Sequence, residues 1–179
     1  TCISVNEEAA HGIPGAKIIR AGDLVNIDVS AELDGYFADT GGSAIVPPES
    51  KLHLQICAAA KKALENALLE ARADAKLNRI GYAIETEATR NGFTVIENLG
   101  SHGVGRALHE EPGFIPGYYD KSDRRILREN QVITIEPFVS SGAREVFENG
   151  DGWTLITNPG VFTAQYEHTL VITKGKPLI

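Results

Sequence analysis

The chain of 179 residues has no methionine, one tryptophan and only two cysteines, Cys2 and Cys57. Two cysteines cannot supply the disulfide framework of a small secreted domain. No apolar run approaches the ~20 residues of a membrane-spanning helix. The chain also lacks a basic segment followed by an apolar one, so it shows no signal peptide. We therefore expect a cytoplasmic protein that makes no membrane contact.

The chain has fewer positively charged residues than negatively charged ones. Lys and Arg number 17 against 24 Asp and Glu, which gives a net charge of −7. A chain of this sign is poorly suited to follow a phosphate backbone, and we expect no DNA binding. Hydrophobic residues make up 42% of the chain and charged residues 23%. This balance is typical of globular proteins, and the length predicts a single domain over residues 1–179.

The order of elements predicts an α+β domain. Residues 24–46 are typical of a β-hairpin, and helical spacing of apolar residues predicts helices over 51–72 and 77–91. Residues 99–130 are rich in Gly and Pro and predict mainly loop. The end of the chain predicts strands, in QVITIEPFVS, GWTLIT and VFTAQYEHTLVIT. Strand pairs with intervening helices favour helices packed on one antiparallel sheet.

The hairpin brings two aspartates to one face of the predicted sheet. Asp34 and Gly35 are a favoured type I′ turn pair, which would set Leu33 opposite Tyr36. In that register Asp28 faces Gly41, while Asp39 faces the residue two positions beyond Asp28. Because residues two apart share a face of a strand, both aspartates point the same way as diagonal neighbours.

Five residues have the identities expected of a two-metal hydrolase site: Asp28, Asp39, His102, Glu136 and Glu167. Each carboxylate lies in a strand-like apolar run, where a buried charge is costly unless it is paired or binds a metal. No Lys or Arg lies in the five surrounding motifs VNIDV, FADTG, GSHGVG, ITIEPF and QYEHT. Two divalent cations would balance four carboxylates, so a dinuclear metal centre is the first hypothesis.

An oxygen-rich set of this kind suits Mn, Fe(II), Co or Zn better than Cu, and it also leaves Mg open. Two such metals activate a bridging water to hydroxide and polarise a carbonyl, which predicts hydrolysis of an amide or similar acyl bond. His109 in LHEEPG lies seven residues after His102 and is a candidate to stabilise an oxyanion. His11 precedes a turn in AAHGIPG. His53 lies among charges on the first predicted helix, where we expect it to face solvent.

The motifs together resemble the type I methionine aminopeptidases, most closely the bacterial ones, which have the pita-bread metallopeptidase fold. The segments that carry the resemblance are CISVNEEAAHGIPG, GDLVNIDVSAELDGYFADTG, SHGVGRALHEEPG, ITIEPF, DGWT and AQYEHTLVIT. They cover essentially the whole chain in the same order. The resemblance implies a curved antiparallel sheet flanked by helices, and an enzyme that removes the initiator methionine of nascent chains when the second residue is small.

The resemblance also implies a role for each site residue. Asp28 would chelate one metal, Asp39 and Glu167 would bridge the pair, and His102 and Glu136 would complete the second site. Glu136 would also move protons. His109 would contact the scissile amide, His11 would lie near the leaving residue, and Cys2 and Trp153 would border the methionine pocket.

Family members usually carry a further N-terminal segment of about 60 residues by our estimate, and we expect this sequence to lack it, leaving the methionine pocket short of a wall. The resemblance implies a monomer and allows transient ribosome contact. Two alternatives stay open. An X-Pro aminopeptidase or prolidase would share the ligands but should lack SVNEEAAHGIP, whereas a non-catalytic pita-bread binding protein would be expected to lose ligands.

Overall fold

The computed structural model describes all 179 residues. It contains two helices and twelve strands. The helices are α1 (Lys51–Glu70) and α2 (Asn78–Arg90). The strands are β1 (Cys2–Val5), β2 (Glu8–Ala10), β3 (Leu24–Leu33), β4 (Tyr36–Ile45), β5 (Thr94–Val95), β6 (Gly100–Gly103), β7 (Glu110–Pro116), β8 (Val132–Ile135), β9 (Phe138–Ser140), β10 (Phe147–Glu148), β11 (Leu155–Ile156) and β12 (Thr163–Val171).

One nine-stranded sheet organises the molecule, with the order β1-β3-β4-β12-β8-β6-β7 and with β9 and β5 extending from β12. All its pairings are antiparallel. A small second sheet joins β10, β11 and β2. The predicted α+β class, with helices packed on one antiparallel sheet, is confirmed.

The hairpin has the predicted register. Leu33 pairs with Tyr36 around the Asp34-Gly35 turn, and Asp28 pairs with Gly41. Both turn residues have positive φ, 54° for Asp34 and 79° for Gly35, as a type I′ turn requires. Local turn chemistry therefore determined where the two aspartates lie.

The main core lies between one face of the sheet and α1, which packs against β12 and its neighbours. Ser50 caps α1 by accepting a hydrogen bond from the backbone N–H of His53 at 3.0 Å. The predicted solvent-facing position of His53 is wrong. Its ring is buried and meets the ring of Phe162 edge-on, with centroids 4.6 Å apart. The reason is that Phe162, distant in sequence, supplies an aromatic surface at the start of the helix.

The predicted loop over residues 99–130 is also wrong in part, because β6 and β7 form an antiparallel pair there. The glycines that favoured a loop permit close pairing of two backbones. A Cβ on Gly100 would lie 2.5 Å from the carbonyl oxygen of Ile115, and one on Gly103 would lie 2.5 Å from that of Glu111. Neither of the two helices has the length and apolar character needed to cross a bilayer.

Candidate metal centre

The candidate site lies on the sheet face opposite α1, where four central strands meet. Asp28 comes from β3, Asp39 from β4 and Glu167 from β12. Glu167 and Asp28 pair with the same residue, Gly41, from its two sides. Glu136 follows the last residue of β8, and Ile135 pairs with His168. The antiparallel register therefore aligns Asp28, Glu167 and Glu136 in one row across the sheet.

The centre of the group is compact and buried. Asp39, His102 and Glu167 each offer a ligand atom, and these atoms all lie within 4.8 Å of one another. All three residues are buried. Asp28 extends the group on one side, where it is the diagonal neighbour of Asp39 on the paired strands β3 and β4. Glu136 extends it on the other, with Oε1 3.4 Å from Nε2 of His102. The five predicted residues are thus brought together.

The orientation of His102 leaves one ring nitrogen available. Nδ1 lies 2.9 Å from the carbonyl oxygen of Gly103, a partner that can only accept. Nδ1 therefore carries the hydrogen, and the lone pair of Nε2 faces Glu136. Burial lowers the pKa of His102, which favours the neutral, metal-binding form.

The carboxylates repel one another in the absence of a cation. Burial, followed by the charge of Asp39, raises the pKa of Asp28 to about 7. Burial, followed by the charge of Glu136, raises the pKa of Glu167 to about 11. Burial also raises the pKa of Glu136 well above its ordinary range. Shifts of this direction mean that four ionised acids do not coexist here without compensating positive charge.

Two observations show that a divalent metal fits this group. Oε1 of Glu167 is buried and has no hydrogen-bond partner, although an unpaired buried carboxylate oxygen is costly. Carboxylates and an imidazole are also the ligand types that Mn, Fe(II), Co and Zn accept. A bound metal would give the unpaired oxygen a partner and would also supply the positive charge that the acids need.

A cavity of about 300 Å³ opens over the group. Four of the five predicted metal ligands line it, namely Asp28, Asp39, His102 and Glu136. The other predicted site residues, Cys2, His11, His109 and Trp153, line it as well. Glu167 lies beneath the floor and is 1% exposed. The apolar part of the wall consists of Leu99, Leu108, Phe114, Phe138 and Trp153.

The two further histidines stand at different sides of this cavity. His109 lies just before β7, with its ring centroid 4.2 Å from that of His102. His11 follows β2 with a positive φ of 58°, and its ring stacks on Trp153 with centroids 5.4 Å apart. Burial and the neighbouring His109 lower the pKa of His11. Both imidazoles are therefore placed to meet a substrate in the cavity.

Cys2 pairs with Asp28 across β1 and β3, which places its thiol at the cavity wall. Burial and the Asp28 charge raise the pKa of this thiol, so it stays protonated at neutral pH. Cys2 is therefore a neutral wall residue beside the acids rather than a thiolate nucleophile.

Sequence reasoning missed a set of hydroxyl residues that hold the acids in place. Thr134 donates from its hydroxyl to Oε1 of Glu136 at 2.9 Å and accepts from the backbone N–H of His102 at 3.1 Å. Ser101 accepts from the backbone N–H of Glu136 at 2.9 Å. The available signal was alternation, since Thr134 lies two residues before Glu136 and so shares its face.

The profile of metallopeptidase family M24 matches residues 1–174. The chain belongs to metallopeptidase family M24. Its membership makes it a hydrolase of peptide bonds that uses a metal, and the buried acid and histidine group is a site of the right chemistry for that metal.

Named relatives of this M24 chain include methionine aminopeptidase 2 of Bacillus subtilis, which is 49% identical over 181 residues. That alignment covers 100% of the chain and 72% of the relative. The methionine aminopeptidase of Aquifex aeolicus is 41% identical, with coverage of 99% and 70%.

Solved structures of related enzymes also superpose on the chain. Methionine aminopeptidase of Thermotoga maritima superposes with a TM-score of 0.95 at 35% identity, covering 99% of the M24 chain and 72% of the other. Prolidase of Pyrococcus furiosus superposes with a TM-score of 0.79 at 25% identity and covers 99% of the chain but 47% of the prolidase. The shared fold thus extends to enzymes of different specificity.

Proposed function

We propose that the protein is a methionine aminopeptidase that hydrolyses the peptide bond after an N-terminal methionine when the next residue is small. One observation carries this proposal: a cavity with an apolar wall on one part of its lining opens directly onto the acid and histidine group. An unbranched side chain such as methionine suits a wall of leucine and aromatic residues. The methionine aminopeptidases among the relatives support it, because they match nearly the whole chain.

We propose two divalent metals per chain, held by Asp28, Asp39, His102, Glu136 and Glu167. The order of contacts supports two sites. Asp28 lies diagonally beside Asp39 at one end, and His102 and Glu136 lie together at the other, with Asp39 and Glu167 between them. When bound, the metals would supply a Lewis acid and a strong water-derived nucleophile at neutral pH. Cobalt, manganese, iron(II) and zinc all suit this ligand set.

We assign Glu136 the proton transfers. Its Oε1 accepts from Thr134, and no hydrogen bond in the structure engages Oε2. Oε2 would accept a proton from the attacking water and return it to the leaving amine, so that no covalent enzyme intermediate is needed. Burial keeps this carboxyl away from bulk water, so the proton stays within the site.

The remaining cavity residues would bind and orient the substrate. His109, exposed beside His102, would donate a hydrogen bond to the carbonyl oxygen as negative charge develops on it. His11, fixed by its stacking on Trp153, would lie near the leaving residue. Cys2 and Trp153 would border the methionine side chain. The substrate partner is thus the N-terminus of a polypeptide, and we propose that the chain acts as a monomer in the cytoplasm.

Release of free methionine from Met-Ala-Ser tests this function. The chain is freed of metal with EDTA and then assayed with and without added Co(II) or Mn(II). We expect metal-dependent release, and little release from Met-Leu-Ser, whose second residue is large. Cleavage of Ala-Pro in place of Met-Ala-Ser would favour a prolidase-like activity. Hydrolysis of neither peptide by a chain that binds Co(II) would contradict aminopeptidase activity in this chain.

The proposed role of His109 can be separated from metal binding. We expect His109→Ala to lower kcat for Met-Ala-Ser about 10²-fold, because one oxyanion donor is lost. The ring contacts His102 but contributes no ligand atom to the buried group, so Co(II) affinity should stay within about twofold, a difference of ~0.4 kcal/mol. Steady-state kinetics and calorimetric titration with Co(II) measure the two effects. A parallel loss of affinity would show that His109 acts through the metal centre instead.

A further inference from the structure

A second row of polar residues lies directly behind the row of acids on the same face of the sheet. The front row runs across β3, β4 and β12 as Asp28, Gly41 and Glu167. The row behind consists of Asn26, Ser43 and Gln165. Asn26 pairs with Ser43, and the backbone N–H of Gln165 donates to the Ser43 hydroxyl at 3.0 Å. Each residue behind is two positions from its neighbour in front, so side chains in both rows point the same way.

The row behind is connected to the acids by directed hydrogen bonds. Nδ2 of Asn26 donates to Oε1 of Gln165 at 2.8 Å, and Nε2 of Gln165 donates to Oε2 of Glu167 at 3.1 Å. The Asn26 amide also donates to the backbone oxygen of Gln165 at 3.3 Å. Because Oε1 of Gln165 accepts the hydrogen bond from the Asn26 amide, Nε2 of Gln165 must face the carboxylate.

Solvent water cannot supply the hydrogen bonds of these groups, because all of them are buried. Asn26, Gln165 and Glu167 are 4%, 1% and 1% exposed. A buried carboxylate without a donor would be free to rotate and would carry an unmet acceptor on each oxygen. Gln165 supplies the only hydrogen bond that the structure gives to this carboxylate, while the other oxygen, Oε1, has no protein partner.

Gly41 makes room for this arrangement. It lies between Asp28 and Glu167 in the front row. A Cβ on Gly41 would lie 2.6 Å from Oε1 and 2.9 Å from Nε2 of Gln165. The Gln165 amide therefore packs directly against the bare backbone of Gly41.

We propose that Gln165, oriented by Asn26 and packed on Gly41, is a positioning residue that fixes the Glu167 carboxylate for metal binding. The inference rests on the proposed function, in which Glu167 would be one of the residues that hold the metals. Outer partners of this type set the direction and strength of a metal ligand. The competing interpretation is that the amide only satisfies a buried acid in the folded chain and does not affect the metal.

Two variants disturb the amide in different ways. Gln165→Met keeps the length of the side chain and removes the donor. Gly41→Ala keeps Gln165 and displaces its amide through the added methyl group. Tyr166→Phe is the matched control. It lies between Gln165 and Glu167 in sequence, and its hydroxyl donates to the backbone oxygen of Ser43 at 2.7 Å rather than to the acid group.

The first measurement is calorimetric titration of each metal-free chain with Co(II), with the visible Co(II) absorption recorded at saturation. We expect Gln165→Met and Gly41→Ala to bind Co(II) roughly 10–100-fold more weakly than the wild type, with a shifted absorption band. Tyr166→Phe should bind as the wild type does. In assays with saturating Co(II), kcat for Met-Ala-Ser should fall while KM changes little, because the cavity wall is intact.

The outcomes separate the two levels of the proposal. If the wild type binds Co(II) and both variants bind it equally well with an unchanged spectrum, the positioning role is refuted. If the wild type does not bind Co(II), the proposed metal centre fails, and the role of Gln165 fails with it. Should Gln165→Met not fold, as judged by circular dichroism, Gly41→Ala alone decides between the two interpretations.

Discussion

Glu167→Gln is expected to abolish metal-dependent activity while making the metal-free protein more stable. The amide has the shape of the carboxyl but lacks the negative charge that would hold divalent cations. We expect Co(II) affinity to fall by about 10³-fold, more than the roughly 10–100-fold caused by loss of an outer partner. Methionine release from Met-Ala-Ser should fall by at least a similar factor, about 10³-fold, because the metals drive the reaction.

The gain in stability has a separate physical cause. Because the pKa of Glu167 rises to about 11 in the fold, the metal-free chain must take up a proton there when it folds at pH 7. Glutamine removes that requirement. We expect the free energy of unfolding in EDTA to rise by about 2 kcal/mol at pH 7.5, which corresponds to a rise in Tm of about 4–8 °C.

Glu87→Gln is the matched control for this experiment. Glu87 is also a buried glutamate, but it lies on α2, and its carboxylate oxygens accept from Asn66 at 3.0 Å and Asn91 at 2.8 Å. Its replacement should leave Co(II) affinity unchanged and should not raise the Tm. An undiminished Co(II) affinity in Glu167→Gln would exclude Glu167 from the metal centre.

Metal should reverse the pH dependence of stability. In EDTA, the acids whose pKa is raised in the fold stabilise it most below their unfolded pKa values, and this stability is lost as pH rises. For Asp28 the loss runs from its ordinary value of 3.8 up to about 7. For Glu167 it begins near 4.5 and continues to about 11. We therefore expect the Tm to fall by about 5–10 °C between pH 5.5 and pH 8, or ~2–3 kcal/mol.

With saturating Co(II) the sign should invert, because bound cations favour the ionised acids and protons compete with them. Thermal unfolding at pH 5.5, 6.5 and 7.5, with EDTA or with Co(II), measures both arms. Glu167→Gln in EDTA should show a shallower fall than the wild type. A Tm that follows the same pH course with and without Co(II) would contradict the assignment of these acids as ligands.

The sequence alone determined how the candidate ligands of the first hairpin lie relative to one another. The Asp34-Gly35 turn and the alternation of β3 and β4 placed Asp28 and Asp39 on one face, and the structure has that register. Local chemistry was sufficient because a two-residue turn sets the pairing of every residue after it. Helix α1 was predictable for the same reason, since its apolar spacing and its Ser50 cap are local signals.

Only the tertiary structure decided the relations between distant segments. It paired β6 with β7 where glycines predicted loop, and it buried His53 against Phe162. It also set Gln165 between Asn26 and Glu167. Gln165 and Asn26 are 139 residues apart in sequence. These contacts depend on which strands become neighbours in the sheet, a choice made by packing of the whole chain. The sequence therefore indicated which side chains are candidates for the chemistry, and the fold decided which side chains hold them in place.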